Sequence, residues 1–318
     1  MKHLKAKKNI LKNLFRICLL LLLFSCGNNN KDRVQNKVTP SKTKEKTVPK
    51  RKISPEFKKY WYSGTAEISS YQLSQARYGE MREGKAVLVY VTEPFLADKQ
   101  VKADQNNPSN IPVLKLNTTK KYHTGVYPYS IMTSSFYSVH DNQHATKVSF
   151  SAQEWCGHVY AQINNKEDYK VTSHSYFESE GNQDFSLSKD ILENEIWNKI
   201  RINPSDLPIG NLSVIPSLEY VRLSHKELKT YKAIATIETK GDFDYYTLSY
   251  PQLERTVTVQ YANSFPYTIE GWKETFLGGF GKNKKQLTSS AKRIKTITSP
   301  YWSKNANKHL YLRDSLGL

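Results

Sequence analysis

From Tyr60 to the end of the chain, runs rich in β-branched and aromatic residues alternate with short clusters of Gly, Asn, Asp and Ser. Branched and aromatic side chains fit a pleated, half-buried surface, and the intervening residues tolerate tight turns, so this pattern confines the body to a sheet architecture. Runs 65–78 and 85–91 read as a hairpin joined by a loop at 79–84. Further strands are expected at 112–117, 127–139, 146–163, 169–177, 218–223, 231–238, 245–250, 256–262 and 267–276. Turns are expected at Asp141-Asn142, Asn164-Asn165, Glu180-Gly181-Asn182, Gly241-Asp242 and Asn263-Ser264. Short strands at this spacing argue for antiparallel pairing.

One stretch has a different period. Ile191, Leu192, Glu195, Ile196 and Ile200 share one helical face, Ser188 stands where a cap would, and Leu187 can staple onto Leu192. Pro204 and Pro208 end the segment. The expected fold class is therefore mainly β: an antiparallel curved sheet or open barrel in two β halves, 60–186 and 205–318. One helix at about 188–200, within a connecting segment 187–204, joins them.

The front of the chain has another character. Lys2, Lys5, Lys7, Lys8, Lys12 and Arg16 precede an apolar run, Ile17 to Phe24, which is closed by Ser25-Cys26. That run is far shorter than the roughly 20 residues a membrane-spanning helix needs. A basic start, a short apolar core, a small residue and a cysteine together read as a lipoprotein signal peptide over 1–25, cleaved so that Cys26 becomes the acylated first residue. The expected modification is a diacylglycerol plus an N-acyl chain on Cys26. Two or three such chains anchor stably, because each buried methylene contributes about 0.8 kcal/mol. The expected location is the cell envelope, most readily the outer membrane, facing the periplasm or the surface. Residues 26–59 are rich in Lys, Asn, Thr and Pro and poor in large apolar side chains, the composition of a disordered basic tether.

The net charge of +18 belongs mostly to this front segment. Residues 1–59 hold 17 Lys+Arg against three acids, and residues 60–318 hold 30 against 26. A body so nearly balanced lacks the broad basic face that follows a phosphate backbone, which argues against nucleic acid as a partner. Of three cysteines, Cys18 leaves with the leader and Cys26 is taken by lipid. Cys156 then has no intramolecular disulfide partner, and the body depends on its core for stability.

Three groups of residues carry candidate chemistry. Glu154-Trp155-Cys156-Gly157-His158 resembles the start of a thioredoxin-type redox motif, but Val159 occupies the position of the second cysteine. In an unbroken strand Glu154, Cys156 and His158 would share a face, with cysteine and histidine about 7 Å apart, too far for direct activation of a nucleophile. His140, Asp141 and His144 offer three potential metal ligands, although Asp141-Asn142 is also ordinary turn chemistry and no further ligand has recognisable spacing. Aromatic residues make up 12% of the chain, enough to line a groove for acyl chains or to stack on sugars as well as to pack a core. The segment 282–295 carries six basic residues and no acid beside Gly278-Gly279-Phe280-Gly281, and it reads as a solvated loop. No resident cofactor is expected.

Between Trp61 and Phe95, through Ala66-Glu67-Ile68-Ser69-Ser70-Tyr71 and Gln75-Ala76-Arg77-Tyr78-Gly79-Glu80, the chain resembles a set of lipoproteins from the Bacteroidota. The resemblance continues at Val113-Leu114-Lys115-Leu116-Asn117 and Gln153-Glu154-Trp155-Cys156-Gly157. Some proteins of this kind carry the label septum formation inhibitor Maf, which implies a cytoplasmic nucleotide pyrophosphatase of α/β fold. Its Ser-x-Arg-Arg hallmark is absent here, and the resemblance transfers no functional residue. In layout the chain is also similar to the curved sheets of lipoprotein carriers. Together these features predict a non-catalytic envelope lipoprotein that binds a lipid, a glycan or an envelope protein. The alternatives are an envelope hydrolase built on Cys156 with His158 and Glu154, and the pyrophosphatase that the label implies.

Overall fold

The expected alternation is clearest in Phe243–Tyr250, where Tyr246, Leu248 and Tyr250 are buried at every second position. The computed structural model describes residues 50–279, 281 and 284–318. The leader, Cys26 and most of the expected tether lie outside the described residues.

The first half of the body comprises α1 (Pro55–Trp61), β1 (Ala66–Arg77), β2 (Glu80–Leu96), β3 (Val101–Lys102), β4 (Ile111–Thr124), β5 (Tyr127–Ser138), β6 (Lys147–Glu154), β7 (Gly157–Asn165), β8 (Tyr169–Ser175) and β9 (Gln183–Leu187). The second half comprises β10 (Ile191–Leu192), α2 (Glu193–Ile202), β11 (Gly210–Ile215), α3 (Leu218–Ser224), β12 (Tyr231–Lys240), β13 (Phe243–Tyr250), β14 (Arg255–Ala262), β15 (Ile269–Gly278), β16 (Lys285–Ser299) and α4 (Tyr311–Ser315). All strands belong to one sheet in the order β10-β11-β12-β13-β14-β15-β16-β1-β2-β4-β5-β6-β7-β8-β9, with β3 paired to β2. Every ladder is antiparallel except β10 with β11. The two β halves meet where β16 returns to pair with β1.

The sheet curves back without closing. Its two edge strands, β9 and β10, follow each other in sequence, yet among the described residues β9 pairs only with β8 and β10 only with β11. Bulges at Ser70/Tyr71 and Gln260/Tyr261 add local bend. Gly84 and Gly271 let neighbouring strands approach closely: a Cβ at either position would stand 2.3 Å from the carbonyl oxygen of Lys121 or Ala291.

Helix α2 lies against β4 and β5, and all of its residues except Trp197 are buried. It starts later than expected. Ile191 and Leu192 are committed to the ladder with Val214 and Ile215, so Leu192 occupies the cap position and Ser188 caps nothing. Nor does α2 rest on one apolar face. Its charged side chains are buried and partnered by the sheet and by the loop between β5 and β6, which sequence periodicity does not reveal. Arg201 donates to both carboxylate oxygens of Glu67 at 2.6 Å and lies against the adjoining rings of Trp61 and Tyr90. Glu193 accepts from Arg255 at 2.5 and 2.7 Å and from the Tyr250 hydroxyl at 2.7 Å. Lys199 donates to the Tyr137 hydroxyl, to Asn142 Oδ1 and to the Gln143 carbonyl. Burial acts to raise the carboxyls of Glu67 and Glu193, but the guanidiniums of Arg201 and Arg255 override it and hold both below the usual carboxylate range.

Several segments differ from expectation. Residues 50–61 form part of the body: Ser54 caps α1, and Phe57 and Trp61 bury one turn apart. The expected strand at 218–223 is helix α3. The run 146–163 is broken into the hairpin β6–β7 by a turn at Trp155-Cys156. The hairpin β1–β2 needs only Tyr78-Gly79, both at positive φ, so 80–84 is already strand. Most of the basic segment near the C-terminus is strand β16, where Arg293 pairs with Glu270. Among the described residues no helix is long and apolar enough to cross a membrane.

Candidate functional site

Four adjacent strands present a largely apolar surface, interrupted by Ser173 and Gln183, on the side that holds α2. In the ladder register Phe150, Ala161, Ser173 and Gln183 form one cross-strand row, and Val148, Ile163, Val171 and Phe185 form the next. Alternate residues point to one face of a strand, so a shared register puts both rows on the same side. Phe150, Val159, Ala161 and Val171, all buried, and half-buried Phe185 line the base of a groove of about 510 Å3. Leu218 and Val221 of α3, with Leu228 beyond it, form the facing wall. The groove lies beside the unclosed edge, because Gln183 and Phe185 belong to edge strand β9.

Local chemistry fixes α3 as the wall. The Ser217 hydroxyl accepts from the Tyr220 amide, and His225 ends the helix in the left-handed region at φ 51°. Leu218 and Tyr220 are buried. Arg77, at the end of β1, donates to the Leu223 carbonyl at 2.7 Å and is itself held by the Tyr129 hydroxyl. Lys120 of β4 pairs with Glu219 at 2.7 Å. The ring of Tyr220 lies under the Arg255 guanidinium, 4.1 Å from its centre.

The rim is polar. Arg222 Nη1 donates to Glu180 Oε1 at 2.7 Å, and the guanidinium covers the Phe177 ring at 4.4 Å. His225 Nδ1 stands 3.2 Å from the same Glu180 oxygen and 3.3 Å from Arg222 Nη1. Burial, followed by the charge of Arg222, pushes the imidazole below its usual value, so His225 is neutral at pH 7. Glu180 Oε2 accepts from Ser175 Oγ at 2.7 Å, which ties the loop 176–182 to the end of β8. Lys226, Glu227 and Ser179 complete the rim. An apolar interior with a few convergent polar groups is the usual constitution of a small-molecule site, and about 300–1,000 Å3 is the usual size.

The residues singled out from sequence lie elsewhere. Cys156 is exposed in the β6–β7 turn, where its amide donates to Glu154 Oε2 at 2.7 Å. Hydrogen bonding to the Glu154 carboxylate pushes the Cys156 thiol up, away from the thiolate a nucleophile requires. His158 is exposed at the start of β7, opposite Gln153 in the ladder. In the other group, His144 Nδ1 lies 3.2 Å from Glu195 Oε1, Asp141 Oδ1 accepts from the Gln143 amide, and the His140 carbonyl accepts from the Arg51 amide. Those three residues thus bind three separate partners. Among the described residues no group of three or more His, Cys, Asp or Glu side chains is placed to hold a metal. The expected aromatic lining is limited to Phe150 and Phe185, and other aromatic residues are buried in the core, as Tyr90, Tyr137 and Trp272 are, or exposed elsewhere, as Trp155 and Trp302 are.

Arg222, His225, Glu180 and Lys226 were not legible as a site. One signal did exist: Pro216-Ser217 ahead of Leu218, Val221 and Arg222 has the cap and spacing of a short helix.

No protein-family model matches the chain, and no curated protein matches it. Among solved structures the chain is similar to a porin-like protein from Bacteroides uniformis at 11% identity. The alignment covers 72% of this chain and 95% of that one, with a TM-score of 0.22. So loose a superposition does not define a common architecture.

Proposed function

We propose that the protein is a non-catalytic binding module whose groove between β6–β9 and α3 takes an amphiphile, with its apolar part on the strand floor and its polar part at the rim. The observation that carries this reading is the pair of cross-strand rows, which place apolar side chains from four strands beneath a charged rim. Burying apolar surface contributes about 25 cal/mol per Å2, so a chain laid along such a floor is held without any specific contact. The same proposal places the protein at the cell envelope, tethered through acylated Cys26.

The ligand half is tested with the purified full chain. Native mass spectrometry is expected to reveal a co-purifying lipid, and a fluorescent fatty-acid analogue is expected to bind. Ser173→Phe projects a ring into the groove from the central row and should abolish that binding. Absence of both lipid and analogue binding would reject the ligand reading. The envelope half is tested separately: radiolabelled palmitate should be incorporated into the wild type and not into Cys26→Ser. Equal labelling of the two would reject it.

A further inference from the structure

We infer that the amphiphile carries a carboxylate, that Arg222 is its seat, and that Glu180 occupies this seat in the protein as it stands. This rests on the groove binding an apolar chain, and it adds which headgroup that chain bears.

The geometry at the rim is that of an occupied carboxylate site. One oxygen of Glu180 accepts from Arg222 at 2.7 Å and lies 3.2 Å from His225 Nδ1, while the other accepts from Ser175 at 2.7 Å. A guanidinium binds carboxylates in preference to neutral oxygens because its hydrogen bonds are charge-assisted. The carboxylate now present is not part of the fixed sheet. Glu180 belongs to the loop 176–182, whose Tyr176 amide donates to the His158 carbonyl of β7, whereas around Glu180 itself the backbone bonds are local: the Glu180 and Gly181 amides donate to the Phe177 carbonyl, and Gln183 donates to the Glu180 carbonyl. Arg222 is placed differently. It projects from α3, which Arg77, Lys120 and Arg255 hold to three separate strands. An incoming carboxylate therefore meets a cation carried on an anchored helix and displaces the Glu180 carboxylate.

Two further features suit an acidic headgroup. The last carbonyls of a helix repel an anion, but the Leu223 carbonyl at the end of α3 is already covered by Arg77. Lys226 is exposed on the same rim and adds a second cation once Glu180 has swung aside, while Glu227 of that rim is paired with Lys229. Ser173 and Gln183 lie between the rim and the apolar floor, which is where the polar end of a chain would cross into it.

The test compares palmitate with hexadecanol, which has the same chain and no charge, by displacement of a fluorescent probe from the full-length protein at neutral pH. The wild type is expected to favour palmitate by less than Glu180→Gln, in which no carboxylate is displaced and the preference should reach about tenfold, the range of a hydrogen bond to a charged group. In Arg222→Gln the ratio should fall toward one. Acetate, the headgroup without its chain, should displace neither ligand at equal concentration. If wild-type protein binds both ligands equally, or if the preference survives in Arg222→Gln, the headgroup inference is overturned while the apolar groove stands. If neither ligand binds, the groove reading is lost as well. Should Arg222→Gln fail to fold, Glu180→Gln decides alone, and an unchanged ratio refutes the displacement.

Discussion

Arg201 of α2 and Glu67 of β1, 134 residues apart, form a two-pronged ion pair at 2.6 Å on each prong with both side chains 1% exposed. The Tyr60 hydroxyl donates to the same carboxylate, and the Trp61 and Tyr90 rings lie against the guanidinium. This contact ties α1, α2 and the middle of the sheet to one another.

Removing one partner leaves the other charged, buried and unpaired. Arg201→Ala and Glu67→Ala are each expected to destabilise the fold by about 3–5 kcal/mol. Thermal unfolding should show a fall in Tm on the order of 10 °C for each. The double change Glu67→Leu with Arg201→Met should cost less than either alone, since no charge is stranded. The pair also predicts acid sensitivity. The Glu67 carboxyl is held below its unfolded value of about 4.3, so its contribution is complete above that pH and is lost as the pH falls toward the folded value. Wild-type stability should therefore decline below about pH 4, and more steeply than in the double variant.

His225 presents two effects that substitution separates. Its φ of 51° disfavours any side chain, so His225→Gly relieves about 1–2 kcal/mol of backbone strain against a smaller entropic loss. The net change should be a gain of about 0.5 kcal/mol in denaturant unfolding. Burial, then the charges of Arg222 and Arg77, hold the imidazole below its ordinary pKa against the opposing pull of Glu180, so the unfolded chain takes up a proton before the folded one. Wild-type stability is then expected to fall as the pH drops below about 6.5, a dependence that His225→Gly should lack.

The exposed thiol gives a direct chemical readout. With the Glu154 carboxylate raising its pKa, Cys156 should react with a disulfide reagent at pH 7 more slowly than a free cysteine peptide. Glu154→Gln should speed the reaction several-fold. Cys156→Ala should leave the unfolding midpoint unchanged, since the side chain is exposed and the amide that bonds to Glu154 is kept. A thiol that reacts faster than the peptide control would contradict this account.

Gly84 and Gly271 test the curvature of the sheet. Adding a Cβ 2.3 Å from a neighbouring carbonyl oxygen forces strands apart, and Gly84→Ala or Gly271→Ala should cost about 1–3 kcal/mol. Circular dichroism should still report a β-rich protein, with the loss visible in the unfolding midpoint.

The architecture was written in local pattern. Alternation such as Tyr246, Leu248 and Tyr250 marks a strand with one buried face, and the Gly241-Asp242 and Asn263-Ser264 clusters stand where the chain turns. Short elements escaped this reading. Leu218 to Leu223 is as compatible with a strand as with a helix by composition, and Pro55–Trp61 was masked by its lysines. The buried charges of α2 and the groove belonged to tertiary structure alone. Glu67 and Arg201, or Glu180 and Arg222, carry no mark of each other in sequence. Ladder register and the crossing of α2 and α3 over the sheet bring them together, and only then does low dielectric make the partner obligatory.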